Sequence, residues 1–272
     1  MRAKLCAVPH VKAGDINIYF EIHGSGAQTL TLIRGLGADL VSWFAQVPEL
    51  SKHFRTVVFD NRGAGRSDKP DTPYSIPQMA TDVRNLLEEL HISRTALLGI
   101  SMGGMIAQEF ALLYPEKLSC LILGCTSFGG PESVPLPERM LNALLAGAAA
   151  DEEMRKDQER ALYSDDTILK NRGIIAAHAE ARVQFPMPPF ALARQTAALR
   201  SHDAAGRTGQ IRVPTLVMTG TGDRLIPPEN SRLIADRIPG AVLKELPGGH
   251  LFMSESAELA NRDVIEFVKA NP

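Results

Sequence analysis

The sequence has little of what marks the specialised protein classes. Cysteine is scarce, with only Cys6, Cys120 and Cys125 in 272 residues, and their spacing fits no metal site. Cys120 and Cys125 fall on or just after one apolar run, so they read as buried thiols rather than as a disulfide or ligands. Excess charge is missing too. Twenty-nine Lys and Arg stand against 31 Asp and Glu, a net charge of −2, so there is no basic field to hold nucleic acid. No run of 18 apolar residues could span a membrane, and the first ten residues lack the apolar core of a secretion signal. These absences lead us to expect a soluble, cytoplasmic protein, a monomer or homodimer, with neither a nucleic-acid nor a membrane partner. Repeats and low-complexity tracts are also absent, apart from the short Ala148–Ala150.

What is present is a large apolar fraction, 44%, arranged in alternating short and long segments. Residues 8–24 read as two strands around a turn at Lys12–Asp15, with Ile16, Ile18, Phe20 and Ile22 at period 2. Short buried strands follow at Thr29–Ile33, Arg55–Phe59, Thr95–Ile100, Leu118–Gly124, Val213–Thr219 and Ala241–Leu246. Helices are expected at Val41–Ser51, Ile76–His91, Met105–Tyr114, Pro228–Ile238 and Ser256–Ala270. From Pro131 to about Gly209 the pattern changes to helices alone, at Leu136–Ala150, Asp151–Tyr163, Thr167–Arg182 and Phe190–Leu199, punctuated by prolines. Strands alternating with helices predict a mostly parallel eight-stranded sheet with helices on both faces. On this reading residues 1–130 and 210–272 form an α/β core, and 131–209 form a helical insertion.

One pentapeptide organises the chain. Gly99-Ile-Ser101-Met-Gly103 lies between a predicted strand and a predicted helix. G-x-S-x-G in that setting makes a nucleophile elbow, a tight turn that lifts the serine Oγ above the sheet edge. Gly99 and Gly103 must be small, because a Cβ there would meet the neighbouring strand or helix. The helix that follows points its free N–H groups and positive dipole end back at the serine.

Five motifs occur together in one order: Arg34-Gly-Leu-Gly37, Asp60-x-Arg-Gly-x-Gly-x-Ser67, Gly99-x-Ser-x-Gly103, Gly220-Thr-Gly-Asp223 with Pro227, and Gly249-His250. In this the chain resembles the α/β-hydrolase superfamily, over roughly residues 25–130 and 210–270, with the insertion where that family carries a helical cap. Within the superfamily it looks like small carboxylesterases, 3-oxoadipate enol-lactonases and cofactor-free haloperoxidase-type enzymes. Fold alone does not set activity, so the site residues must carry the functional reading.

The resemblance implies a triad in the order Ser, acid, His. Of the histidines after Ser101, His178 and His202 fall in or just after the insertion, and only His250 follows a core strand. The loop after Leu118–Gly124 has no carboxylate, whereas the loop after Val213–Thr219 has Asp223. Ser101, Asp223 and His250 are therefore the expected catalytic residues. The expected oxyanion donors are the backbone N–H groups of Met102 and, by the family's pattern, Leu36. The family usually has His where this chain has Arg34. Two roles stay open for Arg34: packing or an ion pair within the loop, or steering of an anionic substrate. Arg62-Gly-Ala-Gly-Arg66 matches no phosphate-binding pattern and reads as a structural turn.

No metal or other cofactor is needed for this chemistry. Trp43, Phe128, Leu225 and Leu251 are the expected substrate contacts, with Phe185, Met187 or Phe190 joining them from the insertion. The expected activity is hydrolysis of carboxylic esters, and possible lactones, through an acyl-enzyme. The alternatives are a lactonase for enol-lactones or N-acyl homoserine lactones, a perhydrolase, and a non-catalytic ligand receptor of the same fold.

Overall fold

The computed structural model describes residues 9–272, so Cys6 and the N-terminal stretch read above lie outside the described residues. The chain opens with the expected antiparallel pair, β1 (His10–Ala13) and β2 (Ile16–His23), with Ala13 opposite Ile16. Ile16 and Ile18 face the core, but Ile22 is 37% exposed against the alternation.

Six parallel strands follow: β3 (Thr29–Ile33), β4 (Arg55–Phe59), β5 (Thr95–Ile100), β6 (Leu118–Gly124), β7 (Thr215–Gly220) and β8 (Val242–Leu246). The eight strands form one sheet in the order β1-β2-β4-β3-β5-β6-β7-β8. The apolar runs of the central strands split by period 2 between the two faces. Leu97, Leu121 and Leu123 join Val83 and Ile106 on one face, whereas Leu98 and Ile122 join Trp43 and Val264 on the other. Burial on both sides is why these strands read as continuous apolar runs rather than alternating ones.

The core helices are α1 (Val47–Leu50), α2 (Ile76–Glu89) and α3 (Met102–Leu113) before the insertion. The helix expected at Val41–Ser51 is in fact two pieces, a 3-10 turn at Leu40–Trp43 and α1. Pro48 explains the break: it lacks an N–H and its ring would clash within a continuous helix, so it sits in a new first turn. α2 stops before His91, which adopts φ +54°. Ile92 N–H donates to Leu87 O and His91 N–H to Glu88 O, a Schellman closure built without glycine.

Between β6 and β7 the chain is helical, apart from an isolated bridge between Gly129 and Asp203. It forms α4 (Glu138–Ala146), α5 (Glu152–Leu162), α6 (Asp165–Lys170), α7 (Arg172–Gln184), α8 (Pro189–Ser201) and α9 (Ala205–Thr208). The single helix expected at Thr167–Arg182 is broken at Asn171, whose φ of −132° and ψ of 60° leave the helical region. α10 (Pro228–Arg237), α11 (Phe252–Glu255) and α12 (Ala257–Ala270) complete the fold. No helix among the described residues is long and apolar enough to cross a membrane.

The strand order places the site. After β3 the chain moves to β4 on one side, then returns to β5 on the other. The loops leaving β3 and β5 therefore flank a switch point at the carboxyl edge of the sheet, where open α/β sheets bind ligands.

Candidate active site

Ser101 is the first residue after β5, and α3 begins at the next residue, three earlier than the sequence suggested. Its φ of 56° and ψ of −127° are a strained combination for a residue with a Cβ, costing on the order of 1–3 kcal/mol. The surroundings hold that conformation. Ser101 N–H donates to Gly124 O at 2.9 Å, and Thr126 Oγ1 donates to Ser101 O at 2.7 Å.

The glycines are small for the expected reason. A Cβ on Gly99 would lie 2.2 Å from Gly103 O, and one on Gly103 would lie 2.3 Å from Ile33 O. Helix α3 thus packs backbone to backbone against β5 and β3. Across the switch point, a Cβ on Gly35 would lie 2.8 Å from Ser101 Cβ. The loop after β3 passes directly over the serine.

Asp223 follows β7 and His250 follows β8. Both are buried, and His250 Nδ1 meets Asp223 Oδ2 at 2.8 Å. The other carboxylate oxygen accepts the N–H groups of Leu225 and Ile226, each at 2.9 Å. Two loops come close enough for this pair because a Cβ on Gly220 would sit 2.2 Å from Gly249 O. Burial alone would lower the His250 pKa, but the Asp223 carboxylate outweighs it and holds the imidazole well above its ordinary value. Ser101 Oγ makes no hydrogen bond to His250 here. Such contacts are often loose without substrate and tighten when it binds.

Met102 N–H lies at the start of α3, and Leu36 N–H lies in the loop after β3. Neither is used in a hydrogen bond among the described residues. The Leu36 loop is fixed by a residue the sequence reading overlooked. Gln195 of α8 is fully buried; it accepts Gly37 N–H at 3.0 Å and donates to Arg62 O at 2.7 Å. Nothing local in the sequence marks it, because its partners lie more than 130 residues away.

Cys125 was the second omission. It is buried, adopts φ +39°, and its Sγ lies within 4.8 Å of ligand atoms on Asp223 and His250. Its place as the first residue after β6, on the same edge as Ser101, was the available signal. These three donors could be counted as a metal site, but both Asp223 oxygens are already committed to N–H groups.

The expected substrate contacts scatter. Leu225 packs with Ala161 and Ile226, beside Leu136 and Met140. Leu251 is partly exposed, and its N–H donates to Leu162 O of α5. Trp43 and Phe128 are fully buried, each covered by a guanidinium, from Arg34 and Arg237 respectively. Phe185 lies under Arg66, and Phe190 is 40% exposed. His178 and His202 are buried; His178 Nε2 meets Ser254 Oγ at 3.0 Å, and His202 Nδ1 lies 3.7 Å from Glu109 Oε1. Arg62 is structural as expected, with bonds to both Asp82 and Asp15.

Comparison with known proteins matches this architecture. The protein named "Putative carbamate hydrolase RutD" of Caulobacter sp. (strain K31) is 32% identical over 95% of this chain and 98% of its own length. The enol-lactonase of Burkholderia xenovorans LB400 superposes with a TM-score of 0.84 and 28% identity, covering 96% of this chain and all of that one. A thermophilic esterase from Thermogutta terrifontis, solved with malate bound, superposes at 0.82 with 27% identity over 94% of each chain. The sequence profile of the alpha/beta hydrolase fold matches residues 28–257, and with the strand order and the elbow already described, the chain belongs to the α/β-hydrolase family.

Proposed function

We propose that the chain is a serine hydrolase that cleaves carboxylic esters, and lactones as internal esters, through an acyl-enzyme. One observation carries this reading. A strained serine stands at the carboxyl edge of the sheet that also bears a buried His250–Asp223 pair, with two unused backbone N–H groups nearby. Residues 131–209 are read as a cap over this edge, since α5 and α8 bond to loops that follow core strands.

The steps follow from the geometry. His250 Nδ1–H donates to Asp223, which leaves Nε2 as the base. Nε2 takes the Ser101 proton as Oγ attacks the carbonyl carbon. Met102 and Leu36 N–H groups receive the oxyanion. The imidazolium then gives its proton to the leaving alkoxide. Water, activated by the same Nε2, attacks the acyl-enzyme and frees Ser101 and the acid. Asp223 holds the ring in place through its bond to Nδ1.

A second reading keeps the same steps and changes the substrate to a carbamate. Relatives named as carbamate hydrolases, at 29–32% identity, favour it. A panel of p-nitrophenyl esters of increasing chain length, run beside lactones and a phenyl carbamate, separates the two. Turnover of esters or lactones that is lost in Ser101→Ala supports the reading. Undiminished hydrolysis in that variant refutes it. Tight ligand binding without turnover would favour a receptor.

A further inference from the structure

Arg34 is the first residue after β3, in the loop that passes over Ser101. It is only 5% exposed. Its guanidinium lies 4.6 Å from the centre of the Trp43 ring. Among the described residues it makes no ion pair, and its buried Nε has no hydrogen-bond partner. Arg62, the other buried guanidinium of this region, shows what a structural arginine looks like: four hydrogen bonds to the carboxylates of Asp15 and Asp82.

Among the described residues no carboxylate forms an ion pair with Arg34. Asp39 is close enough to be felt, but it caps the 3-10 turn through Val41 N–H and forms no ion pair with Arg34. Tyr163 and His178 reach the same space from the insertion. Burial drives the His178 pKa down to about 3, and the Arg34 cation adds to the effect, so His178 is neutral. Burial lowers Arg34 itself to about 10, which still leaves it charged at neutral pH. Stacking on one indole recovers far less than the cost of burying an unpaired cation. Gly35, the next residue, lies so close to the elbow that an added Cβ would be 2.8 Å from Ser101 Cβ. The unpaired cation is thus carried by the loop that passes over Ser101, within electrostatic reach of Tyr163 and His178 of the insertion.

We propose that Arg34 receives a carboxylate of the substrate, so that the preferred substrates are esters or lactones bearing a second, free carboxylate. This rests on the reading of Ser101 as the nucleophile. Arg34 is joined to the oxyanion loop through Gly35, so the carboxylate it binds is held near the reacting carbonyl. The planar fork of a guanidinium suits a carboxylate, which it can grip through two parallel hydrogen bonds.

The test compares matched esters. Monomethyl glutarate and 4-acetoxybutyrate carry the carboxylate on the acyl and alcohol sides, and methyl valerate and butyl acetate are their neutral counterparts. The wild type is expected to prefer at least one charged ester in kcat/KM by about 10–150-fold, as one charge-assisted contact allows. Arg34→Met is expected to abolish that preference, and Arg34→Lys to retain part of it. Glutarate is expected to bind the Ser101→Ala protein in calorimetry and to lose that binding when Arg34→Met is added. Because this arm needs no turnover, it reports on Arg34 even if the esterase reading fails. Arg34→Met is also expected to keep or raise Tm, since it removes an unpaired charge. Equal kcat/KM for charged and neutral esters, glutarate binding that survives Arg34→Met, binding of inorganic phosphate in place of glutarate, or a lowered Tm would each overturn the proposal.

Discussion

Gly35→Ala is the sharpest test of how the loop after β3 and the elbow fit together. The new Cβ would lie 2.8 Å from Ser101 Cβ, 3.2 Å from Ser101 Oγ and 3.3 Å from Ile100 O. Relaxed carbon–carbon contacts lie at about 3.5–4.0 Å, so the two residues must separate by roughly 0.7–1.2 Å. Gly35 is not among the residues with positive φ, so alanine brings no backbone strain of its own. Overpacking of this kind costs about 1–3 kcal/mol, and each kcal/mol lowers Tm by roughly 2–4 °C for a chain near this size. The effect on rate should be larger. A shift of about 1 Å in a reacting group can cost on the order of 10²-fold. The assay is kcat on a p-nitrophenyl ester, paired with the rate of fluorophosphonate labelling, which reads the serine without reference to substrate. Gly206→Ala is the control, because beyond its chain neighbours and its own helix backbone no atom lies within 4 Å of the Cβ it would add. Wild-type labelling and turnover in folded Gly35→Ala would show that the loop does not press on the serine.

Three further outcomes follow from the same geometry. Asp223→Asn should reduce kcat by about 10³–10⁴-fold through the wrong imidazole tautomer. It should also move the acid limb of the pH–kcat/KM profile. Wild-type His250 must lose its proton to act as base, and its raised pKa places that limb above 6.5. Removal of the carboxylate leaves burial opposed only by Cys125, so the limb moves down; an unmoved limb would assign it to another group. The stabilisation from the pair is present below the unfolded pKa of about 6.5 and is lost as pH rises through the folded value. Urea denaturation between pH 6 and 9 should therefore show a steeper loss in wild type than in Asp223→Asn. Gln195→Leu strands the Gly37 N–H and the Arg62 carbonyl, at about 1–3 kcal/mol each, and should lower Tm and kcat together. Arg62→Met leaves Asp82 buried without its partner and should cost about 3–5 kcal/mol in chemical denaturation.

The features readable in the sequence are those with local causes. β5 ends where its apolar run ends, at Ile100, and the elbow follows because two glycines admit backbone where no Cβ fits. Asp223 and His250 could be singled out because few acids or histidines follow a core strand. Where local rules compete, the reading slipped. Pro48 outweighed the apolar spacing of 41–51, and Asn171 broke a helix that Thr167–Arg182 suggested. His91 closes α2 in a conformation usually given to glycine, so no residue type announced the stop.

What the sequence could not show is how the inserted helices meet the edge of the sheet. Gln195 and Arg34 were both visible as residues, yet their meaning depends on partners, one having two and the other none. A buried amide bonded at both its oxygen and its nitrogen holds a loop in place. A buried guanidinium without a counter-ion is the opposite case, because its charge is balanced only when something else enters. The same loop, residues 34–37, thus carries both effects within four positions: Gly37 is anchored to the insertion, Leu36 keeps a free N–H, Gly35 touches the serine, and Arg34 keeps an unbalanced charge. If catalysis and selectivity are built on this one loop, substitutions in it should separate them. Gly35→Ala should lower kcat for charged and neutral esters alike, whereas Arg34→Met should change their ratio. A parallel loss of both in Arg34→Met would mean that the arginine only shapes the loop.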